Sequence, residues 1–136
     1  MKDGGIYTAV ELWCTDPAAA KAQYGPIASW DTSEITDMME LFSNSPGFND
    51  DISRWDVSSV WNMNCMLTAA TSFNGDLSQW DVSKVRNMED MLGGATSFTH
   101  QLGGAWSTST ANKYAMFYNC PGSIAGKTKT GNGTPE

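Results

Sequence analysis

Three aspartates, Asp31, Asp56 and Asp81, recur 25 residues apart, each two residues ahead of a serine (Ser33, Ser58, Ser83). Carboxylates at a fixed interval suit calcium or the cationic side chains of a partner. They equally suit a local role, each accepting hydrogen bonds from the turn that follows it. Short polar residues ahead of a helix usually cap it, so capping is the preferred reading and calcium the alternative. Asn49, Asp50, Asp51, Asn74 and Asp76 form a second oxygen-rich group. They lack the roughly 12-residue spacing of an EF-hand, and an asparagine ladder satisfying backbone groups is the expected reading. His100 is the sole histidine and falls in a turn, so no Ser-His-Asp set can be assembled. Cys14, Cys65 and Cys120 are odd in number, with no CxxC pair, and are expected to be free thiols. No catalytic residue, metal site or cofactor is expected, and the chain reads as a non-enzyme.

These groups are set by a tandem repeat. The segments starting at Ile27, Ile52 and Leu77 align without a gap over 25 residues. Trp30, Trp55 and Trp80 stay in phase, as do Met38, Met63 and Met88, and Phe48, Phe73 and Phe98 close each unit. A fourth, degenerate unit starts one residue late, with Trp106 at the tryptophan position and Ser107 in place of the aspartate. In Leu77-x-x-Trp80-x-Val82, alternation predicts a short strand with Trp80 and Val82 inward and Asp81 and Ser83 outward. Val85, Met88, Met91 and Leu92 follow at helical spacing, with Ser83 as N-cap and Gly93 and Gly94 as the stop.

The predicted fold is therefore an α/β solenoid, leucine-rich-repeat-like, of about four coils, each with one short parallel strand and one short helix. Residues 1–26 are expected to form a helical cap, from Ile6, Ala9, Val10 and Trp13 at helical spacing and the pair Asp16-Pro17 opening a second helix that ends at Gly25. Residues 27–124 form the repeats, and 125–136, polar and glycine-rich, read as a flexible tail. Asn132-Gly133-Thr134 is a glycosylation sequon, a weak signal.

With 15 acidic and 8 basic side chains and a net charge of −7, the chain is a poor match for nucleic acid or an anionic membrane. No apolar run approaches the roughly 20 residues of a membrane span. The N-terminal residues lack the pattern of a signal peptide, so the chain reads as cytosolic or as a mature form.

The units FNDDISRWDVSSVWNMNCML and FNGDLSQWDVSKVRNMEDML resemble the BspA-like surface-protein repeats of mycoplasma-lipoprotein type, over roughly residues 27–124. Leu67 and Leu92 depart from the phenylalanine usual there. The resemblance implies a leucine-rich-repeat-like scaffold, an extracellular or cell-surface setting, and adhesion or protein interaction. It carries no catalytic residues.

Within the rigid frame some positions vary: Ser29, Arg54 and Gln79; Glu34, Ser59 and Lys84; Thr36, Trp61 and Arg86. Variable outward positions on a constant frame are where repeat proteins bind. The expected binding residues are Arg54, Gln79, Asp31, Asp56 and Asp81 on the sheet face, with Trp61 as an exposed aromatic anchor. The expected function is a non-catalytic protein-interaction or scaffold module, with a protein partner. The alternative is a carbohydrate-binding adhesion module, with calcium assisting.

Overall fold

The computed structural model describes residues 1–136. Two helices come first, α1 (Asp3–Thr15) and α2 (Pro17–Tyr24), joined at Asp16. The Asp16 carboxylate accepts from the Ala19 N–H at 3.1 Å, Pro17 fills the first helical position, and Gly25 ends α2 at φ 81°. Ile6, Ala9 and Val10 are buried from α1 against the first repeat. Trp13 meets Trp30 edge-on at 5.7 Å, and its indole N–H donates to Asp50 at 2.9 Å.

The α/β solenoid expected from the repeat does not form. The remaining regular elements are a 3-10 turn (Ile27–Ser29), two-residue strands β1 (Gln101–Leu102) and β2 (Ser123–Ile124), paired in parallel, and a single-turn α3 (Ala105–Thr108). Neither a strand nor a helix stands in each 25-residue unit, so the leucine-rich-repeat-like description fails with it. What the repeats build is a stack of turns.

The reason lies in where the backbone hydrogen bonds go. In the segment read as a strand, the Trp80 N–H turns back to Leu77 O at 3.2 Å and Val85 N–H to Val82 O at 3.1 Å. These are successive β-turns, and they replace an extended run. In the segment read as a helix, alternate amides do different work. Met63, Cys65, Leu67 and Ala69 donate to Asn87, Glu89, Met91 and Gly93 of the next unit, at 2.8 to 2.9 Å. Between them, Met66 donates back to Met63 O and Thr68 to Cys65 O at 3.2 and 3.3 Å, closing overlapping turns. An i, i+3 apolar spacing is shared by a helix and by a chain of overlapping turns. Here the carbonyls point along the stack to the neighbouring unit, so the helix is lost.

Such a chain needs left-handed residues. Glu40, Cys65, Asp90 and Ala115 have φ of 54 to 59°, and Asn44, Ala69, Gly94 and Asn119 repeat the conformation four residues later. Non-glycine residues there cost roughly 1–2 kcal/mol each. The inter-unit hydrogen bonds at the same positions offset that cost.

The core runs up the stack as columns. Trp30 and Trp55 stack at 6.1 Å, and Trp80 and Trp106 at 6.5 Å. Phe48, Phe73 and Phe98 stack at 5.8 and 6.1 Å. Each buried indole N–H is satisfied by a carbonyl of the preceding unit: Trp55 by Ile27 O at 2.8 Å, Trp80 by Ile52 O at 3.0 Å, Trp106 by Leu77 O at 2.9 Å. This resolves the main difficulty of burying tryptophan, its obligatory donor.

Residues 125–136, expected as a flexible tail, fold into a hairpin against the last unit. Thr128 and Glu136 exchange backbone bonds at 2.9 and 2.8 Å, and Gly133 O accepts from Phe117 N–H at 3.0 Å. Lys129 Nζ donates to the carbonyls of Cys120 and Gly122 at 3.0 and 2.7 Å, spending its charge on the end of the fourth unit. Tertiary bonding overrides the polar, glycine-rich composition that suggested disorder.

Candidate functional site

The aspartate columns are held by their own turns. Asp56 accepts from Ser58 N–H at 2.9 Å and Ser58 Oγ at 2.6 Å, and Asp31 repeats the pattern with Ser33 at 3.1 and 2.6 Å. Asp81 accepts from Ser83 N–H at 3.1 Å. The serine hydroxyls and amides hold all three carboxyls below the ordinary carboxylate range, although Asp31 and Asp81 push Asp56 back up. Asp51 and Asp76 form the same turn with Ser53 and Ser78, both at 2.9 Å. These carboxylates are already engaged, as turn residues that build the unit. Ser83 opens no helix, so the N-cap expected there has nothing to cap.

Asn49 and Asn74 form a ladder: Asn49 Oδ1 accepts from Asn74 N–H at 2.8 Å, and Asn74 Oδ1 from Thr99 N–H at 3.0 Å. His100 is half-buried, with Nε2 at 3.0 Å from Asn74 O and its ring beside Phe98. No group of three His, Cys, Asp or Glu side chains converges to hold a metal ion. Burial pushes the thiols of Cys14, Cys65 and Cys120 up, away from the thiolate form a nucleophile needs.

Arg54 and Gln79 stand exposed on the turns before Trp55 and Trp80. The sheet face on which they were expected to meet the aspartates does not exist, because those segments are turns.

Trp61 lies elsewhere on the unit and is 44% exposed. Backbone bonds fix its neighbours: Trp61 N–H donates to Thr36 O at 2.9 Å, Arg86 N–H to Trp61 O at 2.8 Å, and Asn112 N–H to Arg86 O at 2.9 Å. Thr36, Trp61, Arg86 and Ala111 are thereby set in one column, beside parallel bridges linking Asp37, Asn62, Asn87 and Asn112. Trp61, Arg86 and Ala111 of this column, with Ser59, Lys84, Ser83 and buried Val85, line a concavity of about 850 Å³. Thr110 also lines it. Of the positions that vary between units, Ser59, Lys84, Trp61 and Arg86 line it, whereas Ser29, Glu34 and Thr36 do not. Of the expected binding residues only Trp61 is in it. Asp81 touches it through Ser83, while Asp31, Asp56, Arg54 and Gln79 are outside its lining. Lys84 and Arg86 were visible in the sequence as variable positions but carried no sign of lining one hollow. Neither makes a salt bridge; the one ion pair is Lys2 with Glu34 at 3.7 Å, both largely exposed.

A family described as "Mycoplasma protein of unknown function, DUF285" matches residues 16–128. The chain belongs to this family. The match takes in α2, every repeat unit and the start of the closing hairpin. No curated protein and no solved structure matches the chain. No helix is long and apolar enough to cross a membrane.

Proposed function

We propose that the protein is a non-catalytic interaction module, a BspA-like member of its family, that holds a partner protein in the concavity around Trp61. The carrying observation is the convergence on one hollow of positions that differ between otherwise repeated units: Ser59 and Lys84, Trp61 and Arg86. A frame that repeats its inward residues and varies its outward ones separates folding from recognition. A large exposed indole in one hollow with a guanidinium and an ammonium has the composition of an interface anchor. The engaged aspartates, the unactivated thiols and the dispersed ionisable groups support a binding role over a catalytic one.

The test compares capture of partners by the wild type, by Trp61→Ala and by Arg54→Ala with Gln79→Ala. The concavity predicts loss of a stoichiometric partner with Trp61→Ala and retention with the turn-face pair. The opposite pattern sinks it.

One observation favours a second reading, adhesion to carbohydrate: Ser59 and Ser83 line the same hollow as Trp61. A sugar stacks on an exposed aromatic and bonds its rim. Retention on a polysaccharide matrix that Trp61→Ala abolishes, with no protein partner found, would favour it.

A further inference from the structure

A second concavity, of about 440 Å³, adjoins the first and shares Ala111 with it. Lys113, Tyr114 and Lys127 line it, and Tyr114 is 55% exposed. The two hollows form one strip along the later units. Of the chain's 8 basic side chains, Lys84, Arg86, Lys113 and Lys127 lie on this strip, while none of its 15 acidic side chains lines either hollow. The segregation extends through the chain. Residues 1–81 hold twelve acidic and three basic side chains, whereas residues 82–136 hold three and five. One outward column shows the change directly, running Glu34, Ser59, Lys84.

The cations on the strip are underused. Lys84 and Arg86 make no ion pair. Lys113 bonds the Ser109 carbonyl at 2.6 Å, and burial followed by repulsion from Lys127 holds its ammonium below the ordinary lysine range. An anion seated there would remove that repulsion.

We propose that this strip binds an acidic peptide segment of the partner, its carboxylates against Lys84, Arg86 and Lys127, and its apolar side chains against Trp61 and Tyr114. The strip offers both exposed aromatics and cations, as a peptide of acidic and apolar residues requires. A long polyanion is a poorer fit, because the acidic remainder of the molecule repels whatever extends past the strip. The assignment rests on the binding reading above and specifies its ligand.

The test uses fluorescence anisotropy with a labelled short peptide of alternating glutamate and leucine, and the same peptide with glutamine. The glutamate form is expected to bind at least about ten-fold tighter at low ionic strength, with the gap narrowing as salt rises. Lys84→Glu with Arg86→Glu should weaken it by about ten-fold or more, while Lys21→Glu on α2 leaves it unchanged. Thermal melting confirms that the exposed double variant folds. Equal binding of the two peptides, or no effect of the double reversal, overturns the proposal. So does tighter binding of a single-stranded oligonucleotide or a sulfated polysaccharide, and so does salt-sensitive self-association that excludes the peptide. The two readings fail separately. A partner lost with Trp61→Ala but indifferent to the Lys84 and Arg86 reversal removes the acidic ligand alone. A partner indifferent to Trp61→Ala removes the concavity itself.

Discussion

Trp80 and Trp61 are the same residue type in neighbouring units, and they live under opposite rules. Trp80 is 2% exposed, stacks on Trp106 and gives its indole proton to Ile52 O. Trp61 is 44% exposed and has no place in the aromatic stacks. In a stack of identical units, an inward side chain touches copies of itself, so any change must suit both neighbours. An outward side chain meets solvent, and each unit is free to carry its own. Recognition can therefore vary without cost to the frame.

The largest predicted difference follows directly. Trp80→Ala opens a cavity and strips Ile52 O of its donor, and should cost about 3–5 kcal/mol in urea unfolding. Trp61→Ala should stay within about 0.5 kcal/mol, and equal losses would erase the distinction. Next comes the closing hairpin. A Cβ at Gly133, where φ is +82°, would lie 2.3 Å from Tyr118 N and 2.4 Å from Phe117 C, both backbone. Gly133→Ala should cost on the order of 2–3 kcal/mol and speed hydrogen exchange at Thr128 and Glu136; unaltered exchange would show that the hairpin does not close the stack.

The left-handed positions give smaller effects. Gly94→Ala finds room, with Ala69 Cα 3.6 Å away, but keeps φ +76°, and should cost about 1 kcal/mol. A neutral result would mean the inter-unit bonds do not impose that conformation. Asp90 departs from the outward aspartates. Burial raises its carboxyl, opposed by a Thr68 hydrogen bond, so its charged form weakens the fold as pH rises above the unfolded value. Asp90→Asn should stabilise slightly at neutral pH, by less than Gly94→Ala costs, with the gain shrinking in acid. Asp56 and its equivalents have the opposite sign. Their depressed carboxyls contribute stability that is present above the ordinary value of 3.8 and lost as pH falls through their folded values. Urea midpoints followed downward from neutral pH should therefore decline only in that acid range.

The repeat length, the inward tryptophan and phenylalanine columns and the boundaries at Asp16-Pro17 and Gly25 were legible in residue types alone. The conformation of each unit was not. Val85, Met88 and Met91 keep the same spacing in overlapping turns as in a helix, and nothing in Cys65 or Ala69 announces a left-handed backbone. That choice is made by bonds to residues 24 positions away, such as Cys65 N–H to Glu89 O. Trp61 could be singled out as exposed. Its grouping with Lys84 and Arg86 depended on the lateral register of the units, which only the folded chain supplies. The polar run 125–136 misled for a related reason: its order comes from Phe117 and Ala115, which give it partners.

Because the amides of Met63, Cys65, Leu67 and Ala69 are spent on the next unit, the molecule is mechanically directional. A pull that draws its two ends apart along the stack loads the rows between units in series, and the weakest yields first. Each yielding row releases a unit of 25 residues, or about 80 Å of extended chain. Tethered at both ends, the molecule would lengthen in steps of that size, an extensible link whose increments are written into its repeat.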